Sequence, residues 1–148
     1  MDPRQAAAFY LKAIPMAATL GLQYRTLTHN DCVMVLADQP EYRNHVGGPH
    51  AGAMFTLGES AAGSLVVANL GEYLEELTPL AGTVTVTYTA LALGEITATA
   101  HADLDVDAIR TRVAQGEKPS FEIAVQLHAA GQQTGELVVT WVVVPRSR

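Results

Sequence analysis

Apolar and polar positions along this chain follow two rhythms, one near the helical period of about 3.6 residues and one with the strand period of about two. Residues 4 to about 18 follow the first, with Phe9, Leu11 and Ile14 as expected buried positions and Pro15 marking an end or a kink. The runs GLQYRTLT and DCVMVLA read as two strands joined at the polar turn His29-Asn30-Asp31, a hairpin. Gln39 to Pro49 reads as loop. From about His50 to Leu70 the chain is apolar almost throughout, too long for a buried strand and poor in β-branched residues over its first half. That predicts a helix buried nearly all round. The strand rhythm returns in GTVTVTYTALA, where Val84, Val86 and Tyr88 oppose Thr83, Thr85, Thr87 and Thr89, and in EITATAHAD, through Ile96, Ala98, Ala100 and Ala102, the two strands joining near Gly94. Residues 103 to 118 carry Leu104, Ile109 and Val113 among charges, a small amphipathic helix ended by Gly116. SFEIAVQLHA and GELVVTWVVVP form a hairpin around Gly131. In the last strand Val138, Val142 and Val144 alternate with Leu137, Val139, Trp141 and Val143, so both faces are apolar, as expected where the outer face meets another layer or subunit.

This order predicts an α+β architecture: one antiparallel sheet wrapped around one long central helix, with an N-terminal helix and a small inserted helix, because no second helix is long and apolar enough to share the core. Residues 1–148 are read as a single domain, with no repeat or linker. Small residues fill the predicted central helix, among them Gly52, Gly58, Ala61 and Gly63, and let the sheet approach it closely.

Composition narrows the function classes. Hydrophobic residues make up 49% and charged residues 16% of the chain, yet no apolar run spans the 18 or so residues of a membrane helix without polar interruption. No membrane partner is expected, and the N-terminus has no signal-peptide pattern. The single cysteine, Cys32, reads as a buried thiol in a strand, which suits a cytoplasmic protein. A net charge of −6, with nine Lys and Arg spread along the chain, argues against nucleic acid as a partner.

Glu59 is the residue that calls for chemistry. It is the only acidic or basic side chain between His50 and Gly71 apart from His50 itself. A carboxylate on a helix buried in a sheet costs several kcal/mol unless it is solvated, paired or protonated. Two readings stand: a narrow exposed strip of the helix, or a carboxylate lining a cleft as general base or nucleophile. Gly52 and Glu59 are seven residues apart, two turns on one face and about 10 Å along the axis. They cannot act on one atom within one subunit, but a dimer can bring Glu59 of one chain to the helix start of the other. There the first N–H groups lack intrahelical partners and carry the positive end of the helix dipole, and the small side chains of Ala51 and Gly52 leave them open to a carbonyl oxygen.

Asn44, then His50-Ala51-Gly52 six residues on, then Glu59 nine residues after the histidine within the run TLGE, resembles the motif of the hot-dog-fold acyl-CoA thioesterases of the phenylacetate-pathway type. That motif reads Asn, a spacer, His-Gly-Gly, then Asp or Glu in a TLAD-like run. The resemblance covers the whole chain and is greatest to a branch whose members mostly lack assigned substrates. It implies a hot-dog fold and hydrolysis of an acyl-CoA or related thioester at a site shared between subunits of a dimer or dimer of dimers. It further implies that the N–H of Gly52, with Ala51, polarises the carbonyl, that Glu59 of the partner subunit activates water or attacks, that Asn44 positions the water or the carboxylate, and that His50 hydrogen-bonds backbone at the helix entrance. His50, Ala51 and Phe55 are the expected substrate contacts. Met54, Phe55 and Leu57 suit an acyl or aromatic group, although core packing explains them equally well. Ala51 stands where the family has its first glycine.

Other motifs are weaker. GESAAG lacks the spacing of a nucleophile elbow, and GGPHAG lacks the Gly-Lys-Ser/Thr of a phosphate loop. His45 and His50 have no Cys, Asp or Glu clustered with them, so no metal site is expected, and no cofactor. The Asp-x-x-x-x-His of the hydratase relatives is missing. Two functions remain: a thioesterase, or a non-catalytic hot-dog dimer that binds an acyl or aromatic ligand.

Overall fold

In a computed structural model, which describes residues 1–146, helix α1 (Pro3–Ala13) opens on Asp2, whose carboxylate accepts from the Arg4 and Gln5 N–H groups. Pro15 splits the predicted N-terminal helix: the residue before a proline is forced out of the helical region, and Ile14 is extended (φ −112°, ψ 90°) before the short α2 (Pro15–Thr19). The hairpin β1 (Gln23–Leu27) and β2 (Asp31–Leu36) follows as expected, then a loop with one 3-10 turn at Pro40–Tyr42. The central helix α3 (Ala51–Leu70) leads through a second 3-10 turn (Gly71–Tyr73) into β3 (Leu77–Tyr88). Then come β4 (Ile96–His101), α4 (Val106–Ala114), β5 (Ser120–Ala129) and β6 (Gln132–Pro145). Asp105 caps α4 through the Ala108 N–H, and Gly116, at φ +84°, ends it in the left-handed conformation that glycine adopts without strain.

The six strands form one antiparallel sheet in the order β1-β2-β4-β5-β6-β3, wrapped around α3. The inner face of β6, Leu137, Val139, Trp141 and Val143, is buried, whereas Val138, Val142 and Val144 on its outer face are half-buried. Met54 and Leu57 belong to the core. Ala51–Tyr73 is long and apolar enough to cross a membrane by length and composition, but 72% of the window that meets this test is buried inside the fold.

Three details depart from the sequence reading. Phe9 is 43% exposed, while Ala6 and Tyr10 (4%) turn inward. The groove over Gly63 receives the ring of Tyr10, which sets the face of α1 that turns inward. Second, β3 starts five residues earlier than the alternation indicated, because Thr78-Pro79-Leu80 pairs with β6 across a bulge between Ala81 and Thr83. Third, the strands joined near Gly94 are not neighbours in the sheet: the link is a crossover, with β3 at one edge and β4 between β2 and β5.

Candidate active site

The loop before α3 is built by Asn44. Its Oδ1 accepts from the N–H groups of Val46 (3.0 Å) and Gly48 (3.2 Å), its Nδ2 donates to the carbonyl of Pro49 (3.2 Å), and its own N–H bonds the Gly48 carbonyl (2.7 Å). Gly48 is required here: a Cβ would lie 2.1 Å from the carbonyl oxygen of Ala92, so this loop sits directly against the β3–β4 crossover. Asn44 therefore orders the entrance to α3 with every acceptor position of its amide oxygen directed at backbone.

His50 is the N-cap residue. Its Nδ1 accepts from the Gly52 N–H at 2.9 Å, which fixes the proton of a neutral ring on Nε2. The His50 carbonyl takes the N–H groups of Ala53 (2.9 Å) and Met54 (3.1 Å). Among the described hydrogen bonds, none uses the Ala51 N–H, and both Ala51 and Gly52 are exposed. Tyr88, near the end of β3, donates its hydroxyl to the Ala51 carbonyl at 2.8 Å and ties the edge strand to the helix start. A cleft of about 400 Å³ opens beside Gly52, with Met16, Leu20, Tyr42, His50 and Ala53 among its lining residues.

Along α3 the exposed and half-buried positions Ala51, Gly52, Phe55, Thr56 and Glu59 form a stripe spaced at helical intervals. One turn past Glu59 the stripe closes, where the Tyr10 ring lies on Gly63. Burial raises the Glu59 carboxyl above its ordinary value, and the nearby Tyr10 hydroxyl partly offsets this by favouring the charged form. Burial likewise pushes up the Tyr10 phenol, helped by the Glu59 charge.

The structure thus brings Asn44, His50, Ala51 and Gly52 together at one helix start, with Phe55 and Glu59 further along the same face. Glu59 lies outside the cleft beside Gly52. Tyr10 and Tyr88 were not singled out by the sequence. Tyr88 read as one more apolar position in an alternating strand, and the signal for Tyr10 was indirect, a glycine one turn from the lone carboxylate. Among the described residues no group of three or more His, Cys, Asp or Glu side chains gathers as a metal site would need.

No curated protein matches the chain in sequence. Residues 3–143 match the family described as "Domain of unknown function (DUF4442)". Among solved structures, a Pseudomonas aeruginosa protein described as a probable thioesterase superposes with a TM-score of 0.84 at 20% identity, over 99% of this chain and 97% of that one. A mutant thioesterase of the same organism gives 0.76 at 18% identity (99% and 96%). The PaaI protein of the phenylacetic acid degradation operon of E. coli gives 0.73 at 14% identity (95% and 91%). The sheet wrapped on a central helix is the hot-dog fold of these proteins.

Proposed function

Since the chain belongs to the DUF4442 family, whose description assigns no activity, we infer its function from the site: hydrolysis of an acyl-CoA or related thioester, in a site shared between two subunits. The observation that carries this reading is the open stripe on α3. It holds one carboxylate on an otherwise uncharged buried helix and begins two turns away at the exposed residues Ala51 and Gly52. The thioesterases among the structural neighbours support the same reading.

Two such stripes packed against each other carry Glu59 of the partner subunit to the helix start. The thioester carbonyl oxygen takes the Ala51 N–H and displaces the His50 ring from the Gly52 N–H, and the acyl group enters the cleft lined by Met16, Leu20 and Tyr42. Glu59 removes a proton from water as the hydroxide oxygen bonds the carbonyl carbon. The tetrahedral oxyanion then collapses, the carbon–sulfur bond breaks, and the thiolate takes the proton back from Glu59, leaving a carboxylic acid and a free thiol. A raised carboxyl pKa suits this role, since a stronger base accepts the water proton more readily. Asn44 acts by holding the loop that positions the helix start.

One observation favours the second reading, a dimer that binds an acyl or aromatic ligand without turnover: the Gly52 N–H is already occupied by His50. Short-, medium- and long-chain and aryl-CoA thioesters, assayed for free thiol, test both. Glu59→Gln should lower turnover by roughly two orders of magnitude or more. Wild-type turnover unchanged by Glu59→Gln overturns the carboxylate mechanism, and tight binding without thiol release establishes the second reading.

A further inference from the structure

We propose that Tyr10 is the positioning residue for Glu59: its hydroxyl, delivered by α1 onto the glycine floor at Gly63, fixes the carboxylate on the open stripe of α3. The inference rests on the function proposed above and adds a residue from outside the motif. Tyr10 is 4% exposed, and its ring is packed so tightly on α3 that a Cβ at Gly63 would stand 2.8 Å from its Oη and 2.9 Å from Cε2. No larger residue than glycine fits under the phenol where it stands. Gly63 is one turn beyond Glu59 on the same helix face, so a hydroxyl held over it lies within a helical turn of that carboxylate.

A second observation points to the same place. Ser60 Oγ, adjacent to Glu59 in the chain, is fully buried and has no hydrogen-bond partner. Buried hydroxyls are rarely left unpaired. Ser60 and Glu59 both bear on the Tyr10 phenol, which can accept from the one and donate to the other. Behind Tyr10 lie the titratable groups of the neighbouring strands, Tyr24 on β1 and Cys32 on β2, each pushed by burial up to about 12 and so neutral. Tyr24 is engaged elsewhere, with Ser64 Oγ at 2.6 Å. Among the described residues, Tyr10 is the titratable group that bears on Glu59.

A hydrogen bond donated to a carboxylate stabilises the charged form, so its loss moves the carboxyl pKa upward. Tyr10→Phe keeps the ring on Gly63 and removes only the hydroxyl. Gly63→Ala keeps the hydroxyl and pushes it off its seat. Both should raise the Glu59 carboxyl pKa, read by carbon NMR of labelled Glu with the resonance assigned by its loss in Glu59→Gln. Both should move the acid limb of kcat/KM upward by the same amount and lower kcat with KM little changed. An unshifted Glu59 resonance in Tyr10→Phe overturns the proposal whatever the activity does. A shifted resonance with Glu59→Gln fully active keeps the Tyr10–Glu59 contact and removes the catalytic reading instead, so the two failures are separable.

Discussion

The Glu59 carboxyl carries an opposed pair of effects whose signs differ for function and for stability. Its folded pKa is raised by burial above the unfolded value. The stability it contributes is therefore full below the unfolded carboxyl pKa, near 4.3, and is lost as pH rises through the folded value. At pH 7 the wild-type protein bears the cost of a half-buried charge. Glu59→Gln should then melt higher than wild type at pH 7, with the gap closing toward pH 4. Thermal unfolding at both pH values checks it, and equal melting at pH 7 would mean that the carboxylate is fully solvated. Asn44 differs in kind. Three side-chain hydrogen bonds into its own loop predict that Asn44→Ala costs about 1–3 kcal/mol in chemical denaturation and slows turnover less than loss of Glu59 does.

At the scale of elements, α3 has two glycines with opposite duties. Gly58 faces the sheet, where a Cβ would stand 2.5 Å from Leu137 Cδ1, so Gly58→Val should force helix and β6 apart and cost about 1–3 kcal/mol or more. Gly52 faces solvent, and a Cβ there meets only the His50 ring, Nδ1 at 3.1 Å and Cε1 at 3.5 Å. Gly52→Val should displace the capping imidazole at a cost of about 1 kcal/mol while blocking the carbonyl site, so that turnover falls far more than stability. Paired denaturation and turnover measurements separate these outcomes; a loss of stability at Gly52 as large as that at Gly58 would contradict the assignment of faces. The Tyr88 hydroxyl links the edge strand to the same helix start.

For the molecule as a whole, the open features gather at the helix start and the adjoining edge: the stripe on α3, the free side of the twelve-residue β3, and Tyr88 between them. Unpaired strand edges and apolar helix faces are seldom left to water. We expect a homodimer or dimer of dimers in which both are covered. Light scattering against specific activity over a dilution series should show turnover lost as subunits separate, and a monomer that still hydrolyses thioesters would exclude the shared site.

The sequence by itself determined the elements and their class. Alternation of period two in β4 and β5, a long and nearly uncharged stretch for α3, and Pro15 and Gly116 as punctuation are local properties, fixed by backbone sterics and by which side of an element is apolar. It also singled out Glu59, because one charge in an apolar helix needs no structure to be conspicuous. Phase and neighbourhood came only with the tertiary structure. Whether Phe9 or Tyr10 turns inward depends on the gap above Gly63, which lies fifty-three residues beyond Tyr10 in the chain. The exile of β3 to the sheet edge depends on which strands can pair around the helix, and the engagement of the Gly52 N–H by His50 depends on how the loop built by Asn44 turns the imidazole. Each is a contact between segments whose separate patterns permit several partners, and only packing them together around one helix selects one.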